Sequence, residues 1–534
     1  MERILKEVLA FTIVICMGLA GTQTVHAGPT YIVWPNGHND TANIQAALNK
    51  CTTGGPSCTV QLETGTYYIA QITVYGFEGN FVGMGQGVTI IQALRNLPSP
   101  ASEYNTNTIP WWAGLPGPTN PWPALFTFYG GTFSIFGMTL TDPYTKPITP
   151  GWLDYPSISG DTTLYTSLYA AIEVTGQQQA SATVDHVTVL GASGDAEGTN
   201  MWNGIIYEAT YLPKGWTNAL TDLILLSGTF SVTNSIFNRM ESGPWVDELD
   251  GATVTVCYNT AINDPGITYG FFDAYNSKLT YCGNQGSGSQ DTAAMAGIQD
   301  LYVPPPTGVS PSTVYVKDNN FQASQGANAV YLSDGVDTLK AVVSGNTLTI
   351  DSTCKPTWQA EGLCYNRPWS TYVPPEWFSS VVASISLVNV VVSQNTIFGG
   401  GTGSKRTPAN GVYVTGGPGQ VTGNTVTGSY IGVWLDAATG AQAAAMHNRL
   451  RGSHPGLISG STITPSHDVV VTGNVITSSA EYGIALTQGS SNNVISGNTI
   501  KSSGVDDLYW DQTGTGNVWK ADACQTSSPP GLCT

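Results

Sequence analysis

A short phrase built on asparagine returns along this chain at intervals of about 25 residues, and no other feature restricts the fold as strongly. TGNVI, which contains Asn474, is answered by SGNTI, which contains Asn498. Versions of the phrase place its asparagine at Asn234, Asn259, Asn284, Asn320, Asn346, Asn395, Asn424, Asn448, Asn474 and Asn498. Self-similarity at a fixed period predicts a solenoid, in which each repeat packs against its neighbours.

A second short strand follows the asparagine after about ten residues. GVYVT begins at Gly411, GVWLD at Gly432 and GIALT at Gly483. Strand alternation places Ile484 and Leu486 on one face. One coil of such strands cannot bury its apolar face alone, whereas stacked coils bury it together, with asparagines stacked as a ladder at a corner. The repeat therefore predicts an all-β protein, a parallel β-helix solenoid.

The N-terminal stretch strengthens this interpretation through a resemblance. WPNGHNDTANIQAALNKC, TVQLETGTYYI and GNFVGMGQGVTII resemble the opening of the pectate-lyase-like family of right-handed β-helices. The resemblance implies a right-handed solenoid capped by a helix, which Asp40 or Asn39 would N-cap and whose Ile44, Ala47 and Leu48 would cover the first coil. It implies no single chemistry, because that superfamily contains hydrolases, lyases, epimerases, tailspikes and non-enzymes.

The first 27 residues have the pattern of a secretory signal peptide. A basic start is followed by the apolar run VLAFTIVICMGLAG and by small residues at Val25 and Ala27, and the run is too short to cross a bilayer. We therefore expect a secreted, extracellular or periplasmic protein.

We expect residues 28–534 to form a single β-helix domain with long inserted loops. Its predicted parts are a capping segment at about 38–60, coils at about 60–515 and a C-terminal cap at about 516–534. The proline- and tryptophan-rich loops are expected at 107–125, 146–161, 301–312 and 352–378.

Eight cysteines follow the signal peptide and fall into local pairs, which in an exported chain predicts disulfides. Cys257 and Cys282 each stand two residues before an asparagine of the repeat, so on adjacent coils they would lie ~4.8 Å apart, close enough to be bridged. The predicted pairs are Cys51–Cys58, Cys257–Cys282, Cys354–Cys364 and Cys524–Cys533.

Charge restricts the partners. The chain has 18 Lys and Arg against 36 Asp and Glu, a formal net charge of −18. This balance argues against nucleic acid and against an anionic membrane as partners. A polysaccharide is the partner we expect, and the sequence does not fix the oligomeric state.

Carboxylates on four neighbouring coils are the first candidates for chemistry. The second strands AAIEVT, GIIYE, PWVDE and GFFDA carry Glu173, Glu208, Asp247, Glu248 and Asp273 near one outward stripe. Glycoside hydrolysis needs two carboxyls, ~5–5.5 Å apart for retention or ~6.5–9.5 Å apart for inversion. Crowding also raises the pKa of one carboxyl, as a general acid requires. We predict a glycoside hydrolase, with Glu248 as the preferred acid.

Tryptophans near these coils, Trp202, Trp216 and Trp245, would stack on sugar rings. The same carboxylates have two other interpretations, a calcium site built from several oxygens or solvated acids on a β face. Calcium is the only cofactor that the sequence suggests.

A basic segment supports a second enzymatic hypothesis. MHNRLRGSH places Arg449 and Arg451 on alternate residues, beside His447 and His454. A lyase acting on acidic sugars needs a positive group beside the uronate and a base for the α-proton. The third hypothesis is non-enzymatic, an extracellular glycan-binding, adhesion or surface solenoid.

Overall fold

The computed structural model describes residues 28–52, 58–94, 124–143, 168–191, 201–209, 225–240, 242–247, 249–262, 267–272, 274–289, 292–298, 311–324, 328–334, 339–351, 380–386, 389–400, 409–436 and 465–533. The predicted signal peptide and the predicted loop of residues 352–378 lie outside this set.

Each complete coil contributes three short strands, and equivalent strands of successive coils pair side by side. We call the sheet before the asparagine corner sheet A, the sheet after it sheet B, and the sheet that completes the coil sheet C. In one coil these are Asn389–Ser393, Thr396–Phe398 and Asn410–Thr415. Every pairing among the described strands is parallel. The predicted right-handed parallel β-helix is confirmed.

The strands are numbered in chain order. Sheet A contains β1 (Thr30–Val33), β2 (Thr59–Leu62), β9 (Thr229–Thr233), β13 (Thr253–Cys257), β17 (Lys278–Cys282), β20 (Ser312–Lys317), β23 (Leu339–Ser344), β26 (Asn389–Ser393), β29 (Gly419–Thr422), β32 (Val469–Thr472), β35 (Val494–Ser496) and β38 (Val518–Lys520). Sheet B contains β3 (Gly65–Ile69), β5 (Thr89–Ala93), β10 (Ile236–Asn238), β14 (Thr260–Ile262), β18 (Gln285–Ser289), β21 (Asn320–Ser324), β24 (Thr347–Asp351), β27 (Thr396–Phe398), β30 (Thr425–Thr427), β33 (Val475–Thr477) and β36 (Thr499–Lys501). Sheet C contains β8 (Met201–Ala209), β11 (Ser242–Asp247), β15 (Ile267–Phe272), β19 (Thr292–Ile298), β22 (Asn328–Asp334), β25 (Ser380–Ser386), β28 (Asn410–Thr415), β31 (Ile431–Asp436), β34 (Tyr482–Leu486), β37 (Asp506–Trp510) and β39 (Ser527–Ser528).

Three long strands bend around corners and so belong to more than one sheet. They are β4 (Ile72–Val82), β6 (Ala124–Thr141) and β7 (Leu168–Leu190). A separate short pair, β12 (Leu249–Asp250) and β16 (Ala274–Tyr275), lies after sheet C.

One hydrophobic core runs through the solenoid from Val33 to Leu532. The predicted inward residues Ile484 and Leu486 are fully buried, and Val433 of the preceding coil lies in register with Ile484. Full burial of such an aliphatic side chain contributes ~1.5–3 kcal/mol. Repetition of these inward rows therefore stabilises the stack coil by coil.

Gly411, Gly432 and Gly483, which lie near the start of three sheet C strands, are required by close packing between coils. A Cβ atom on Gly432 would collide with the carbonyl oxygen of Gly483 and with the side chain of Ile476. The coils approach each other too closely there for any larger residue.

Asparagines form the predicted ladder at the corner between sheets A and B. Asn424 shows the pattern, because its Oδ1 accepts hydrogen bonds from the backbone and side-chain amides of Asn395 at 3.0 and 2.9 Å. Its own side-chain amide donates to Asn474 Oδ1 at 3.0 Å and to the Val392 carbonyl at 2.9 Å. The ladder members are Asn259, Asn284, Asn319, Asn346, Asn395, Asn424, Asn474, Asn498 and, at the end, Asp522.

Two predicted ladder positions, Asn234 and Asn320, are wrong by one residue. The ladder position is taken by Asn319, and before the first ladder asparagine by Ser235. The residue that precedes each ladder position has left-handed backbone, with φ of +50° at Asn234 and +65° at Gly473. Glycine tolerates that conformation most readily, which explains the glycine-asparagine order of the phrase. The predicted member Asn448 lies outside the described residues.

The predicted capping helix is present as α1 (Thr41–Cys51). Its buried residues include the predicted Ile44, Ala47 and Leu48. Asp40 precedes the helix, but its carboxylate does not cap it and instead accepts a hydrogen bond from the Tyr68 amide at 3.1 Å. This bond ties the start of the helix to the first coils.

Three predicted disulfides are present. The cysteines of the inter-coil pair lie directly opposite each other in sheet A, with 4.5 Å between their Cα atoms. The bonds are Cys51–Cys58, Cys257–Cys282 and Cys524–Cys533. Cys354 and Cys364 lie outside the described residues. In the part of the chain that the structure describes, no helix is long and apolar enough to span a membrane.

Candidate active site on sheet C

Three of the predicted carboxylates stand on successive coils of sheet C. Glu173 belongs to β7, Glu208 to β8 and Asp247 to β11. The register pairs Glu208 with Asp247, whereas Glu173 pairs with Ile206 and so lies two residues earlier along the strand. Glu173, Glu208 and Asp247, which we call the carboxylate stripe, therefore occupy two adjacent outward rows.

Glu173 is 2% exposed although it faces outward from the sheet. The hydroxyl of Thr127, on the preceding coil, donates a hydrogen bond to its Oε2 at 2.9 Å. Burial disfavours the charged carboxylate and raises the pKa of Glu173 to about 8, while the Thr127 hydrogen bond acts in the opposite direction. At neutral pH Glu173 is therefore mainly protonated, which is the state a general acid needs.

Two tyrosines that the sequence prediction omitted stand beside this group. Tyr75 and Tyr129 are neighbours in register, and their rings stack with centroids 4.8 Å apart. Tyr75 is 67% exposed, whereas burial, followed by the charges of Glu173, Tyr75 and Glu208, raises the pKa of Tyr129 far above its ordinary value. The available signal was a tyrosine-glycine pair repeated one coil apart, VYGF and FYGG.

The strand register sets the backbone separations within the stripe. Glu208 and Asp247 are direct neighbours, so their backbones lie ~4.8 Å apart. Glu173 is one coil and two residues away from Glu208, a backbone separation of ~8 Å. Carboxyl separations of ~5–5.5 Å suit retention and ~6.5–9.5 Å suit inversion. The backbone spacings within the stripe are of the same order as these carboxyl separations.

Trp245 borders the stripe on the outside of sheet C. It is partly buried and packs against Ala124, Ala170 and Ile206. A Cβ atom on Gly270, its partner on the next coil, would lie 2.6 Å from the Trp245 ring. Part of the predicted sugar-stacking surface of Trp245 is therefore already in contact with the protein.

The other members of the predicted site are not described. For Trp202 the structure gives the backbone within β8 and not the side chain. Glu248, Asp273, Trp216, Arg449 and Arg451 lie outside the described residues altogether.

A second polar cluster that the sequence prediction omitted lies further along the outward face of sheet C. Asp436 is 1% exposed, and its carboxylate accepts hydrogen bonds from the hydroxyls of Thr487 at 2.6 Å and Tyr413 at 3.3 Å. Trp434 donates its indole N–H to the Thr487 hydroxyl at 2.8 Å and meets the Tyr413 ring edge-on. The pKa of Tyr413 is raised by burial and then by Asp436 and Tyr331. This carboxylate has several partners, so it suits a structural or ligand-positioning role.

Potential metal ligands do not cluster among the described residues. In that part of the chain, no three His, Cys, Asp or Glu side chains gather closely enough to hold a metal ion. Glu248 and Asp273, which the calcium interpretation also involved, lie outside the described residues.

Comparison with known families gives a partial match. Residues 379–521 match the family described as periplasmic copper-binding protein (NosD). The match covers about a quarter of the chain, which does not assign the chain to that family. No curated protein matches the chain.

Solved β-helix structures resemble the chain weakly. The A-module of a mannuronan C-5 epimerase from Azotobacter vinelandii is 12% identical, with 92% of this chain and 95% of that chain covered and a TM-score of 0.40. The catalytic domain of a GH87 alpha-1,3-glucanase in complex with tetrasaccharides is 11% identical, with coverages of 92% and 69% and a TM-score of 0.41. The Dettilon tailspike protein is 13% identical, with coverages of 89% and 68% and a TM-score of 0.40. Likenesses at this level carry no argument about function.

Proposed function

We propose that this protein is an exported, polysaccharide-active enzyme that cleaves a glycosidic bond with the carboxylate stripe of sheet C. Glu173 is the general acid in this proposal. Glu208, with Asp247 beside it, is the base that activates water or the nucleophile that attacks the sugar. The observation that carries the proposal is the burial of Glu173 on an outward face, one coil from a second carboxylate.

The chemistry of the stripe supports this division of roles. Glycoside hydrolysis needs one carboxyl that gives a proton to the leaving oxygen and a second carboxyl that is ionised. Burial keeps Glu173 protonated at neutral pH, since it raises the pKa of that group. The backbones of Glu173 and Glu208 are ~8 Å apart, which is of the order that inversion requires between carboxyl groups, so the inverting reaction is the one proposed.

The tyrosine pair supports a sugar as the ligand. Tyr75 exposes an aromatic face at the margin of the site, and Tyr129 stacks on it from the adjacent coil. Aromatic faces contribute dispersion and apolar contact to a flat ring. Tyr75 is therefore proposed to bind the sugar next to the bond that is cleaved.

The localisation proposed here is outside the cytoplasm. Three disulfides are present among the described residues, and disulfides persist mainly in oxidising compartments. The signal-peptide pattern of residues 1–27 agrees with that environment.

A polysaccharide panel tests the activity. Neutral and acidic polymers are incubated with the mature protein, and the products are assayed for new reducing ends and for ultraviolet absorbance. Reducing ends without absorbance indicate hydrolysis. Reducing ends with absorbance indicate elimination, which would transfer the reaction to the lyase hypothesis and its Arg449/Arg451 segment. No product on any polymer would favour the glycan-binding solenoid.

Substitution then tests the residues on a polymer that the protein cleaves. Glu173→Gln keeps the shape of the side chain and removes the titrating proton, so we expect turnover to fall by ~10²-fold or more. Glu78→Gln is the matched control, because Glu78 is an exposed glutamate on sheet A. Equal activity of the two variants would remove Glu173 from the mechanism.

A further inference from the structure

Lysines gather on the outward face of sheet A, around a corner from the carboxylate stripe. Lys278 of β17 pairs with Thr313 of β20, which pairs with Lys340 of β23, so the two lysines lie in one row two coils apart. Lys317 lies further along the middle strand. These are three of the seven Lys and Arg that the structure describes, in a chain with a net charge of −18.

An aromatic ring lies beside two of the three lysines. The Nζ atoms of Lys278 and Lys317 each lie 5.7 Å from the centroid of the Tyr315 ring. That distance is within the range of a cation–π contact. The two ammonium groups are therefore at most 11.4 Å apart, twice the distance to their shared ring.

Among the described residues, no acidic side chain forms an ion pair with these lysines, and the nearest acid in sequence is the exposed Asp318, which follows Lys317. The ion pairs within the described part of the chain are His186–Asp185 and His467–Asp468, and none of the three lysines takes part in one. The outward neighbours in register are neutral, namely Thr280, Thr313 and Val342. Like charges held together without a counterion create a local positive potential that attracts an anion.

We propose that Lys278, Lys317 and Lys340 around Tyr315, the lysine cluster, form a binding site for an anionic polysaccharide. Carboxylate or sulfate groups of the polymer would sit between the ammonium groups, and the flanking threonine hydroxyls are available to its sugar hydroxyls. The Cα atoms of Lys278 and Lys340 are ~9.6 Å apart along the solenoid, so one extended polymer can contact both lysines. The site is separate from the carboxylate stripe and does not depend on its activity.

A polymer of acidic sugars fits better than nucleic acid. Duplex DNA presents closely spaced phosphates along a wide rod, and proteins that bind it neutralise many of them at once. The lysine cluster offers three positive charges on a chain whose net charge is −18, so the surrounding surface would repel a longer, denser polyanion.

Two double variants test the proposal in the full-length mature protein. Lys278→Ala with Lys340→Ala removes two exposed charges from the cluster, and Lys501→Ala with Lys520→Ala removes two exposed charges elsewhere. Binding is measured to polygalacturonate, dextran sulfate, neutral dextran and duplex DNA. The cluster variant should bind the preferred polyanion about tenfold more weakly, the control variant less than about twofold, and added salt should weaken binding by the wild type.

The outcomes separate the sources of the anion. Preference for polygalacturonate assigns carboxylated sugars, preference for dextran sulfate assigns sulfated sugars, and equal binding assigns charge alone; all three support the site. Equal weakening by both double variants, binding to neutral dextran as tight as to polyanions, tighter binding to DNA, or no binding to either acidic polymer overturns it. The same lysine pair changed to Gln, with folding checked by circular dichroism, repeats the measurement with longer side chains.

Discussion

The protonation of Glu173 can be measured without knowing the substrate, through the pH dependence of stability. Its folded pKa of about 8 lies well above its ordinary value of 4.5. Below pH 4.5 both the folded and the unfolded chain carry the proton, so the ionisation of Glu173 does not make stability depend on pH. Between the two values the unfolded chain releases the proton and the folded chain keeps it. Stability should therefore fall as pH rises through this window and level off above about 8.

The size of the effect follows from the shift. One pKa unit corresponds to 1.36 kcal/mol, so a shift from 4.5 to about 8 is on the order of 5 kcal/mol. Glu173→Gln retains an acceptor for the Thr127 hydroxyl and has no proton to lose. The variant should be nearly as stable as the wild type at about pH 5 and several kcal/mol more stable at about pH 8.

Urea unfolding at these two pH values, followed by circular dichroism, measures the difference. Glu78→Gln serves as the control for the loss of an exposed carboxylate and should leave the pH dependence of the wild type unchanged. Parallel pH profiles for the wild type and Glu173→Gln would show that Glu173 ionises as readily in the folded chain as in the unfolded chain. That result would refute the assignment of Glu173 as an acid whatever the substrate is.

Four further outcomes are expected. Activity on a cleaved polymer should fall as pH rises through about 8, because ionised Glu173 has no proton to give, and an unchanged rate well above that pH would contradict its role. Asn319→Ala should lower the free energy of unfolding by ~2–6 kcal/mol in a urea titration, because it leaves the backbone and side-chain amides of Asn284 without their acceptor. Asn320 is next in sequence and exposed, so Asn320→Ala should change the free energy of unfolding by less than ~0.5 kcal/mol in the same titration. Asp522→Asn should stabilise the chain by ~1 kcal/mol at neutral pH. Burial raises the pKa of Asp522, although the hydrogen bonds from Asn498 lower it, and the Asp522 Oδ2 atom has no hydrogen-bond partner. A stability advantage of the variant that grows at acidic pH would contradict this reasoning. Gly270→Ala should cost ~1–3 kcal/mol through contact with the Trp245 ring, and a Trp245→Leu background should remove most of that cost in a double-mutant cycle.

The fold could be predicted because every repeat of the sequence must satisfy the same structural requirements. Each ladder asparagine must accept from one coil and donate to the next, and each inward row must be apolar, so errors at single positions do not change the answer. The two misplaced ladder members show the limit of this reasoning. Asn319 and Asn320 are adjacent and identical residues, so the sequence does not distinguish them. Only the backbone geometry of the corner determines that Asn319 is the one whose side chain points inward. Asn234 was misleading because asparagine also tolerates the left-handed backbone that precedes the ladder.

The candidate site was less predictable, because its properties arise between coils that are distant in sequence. Glu173 and its hydrogen-bond donor Thr127 are 46 residues apart, and nothing near Glu173 in the sequence indicates that it is buried. Strand alternation predicts that Glu173 points outward from the sheet, but it does not indicate whether an outward side chain is exposed or buried. Glu208 pairs with Asp247, one residue before the favoured Glu248. The sequence alone does not fix the strand register to within one residue, so it could not decide between these two partners.

The solenoid separates the residues that build the coil from those that can carry chemistry. The ladder repeats nearly one residue type at the corner of sheets A and B, whereas one outward row of sheet C reads Thr127, Glu173, Ile206 and Trp245 on successive coils. An outward row is free to vary because the inward rows and the ladder already satisfy the packing and the backbone hydrogen bonds of each coil. Charged residues can then be placed on one sheet or another. Among the described residues, sheet C carries buried carboxylates and sheet A carries lysines that form no ion pair, while the ~4.8 Å coil spacing fixes how closely such groups approach. For a chain of this kind, function is therefore determined by which side chains the register places together across coils, and the repeat itself specifies only the scaffold.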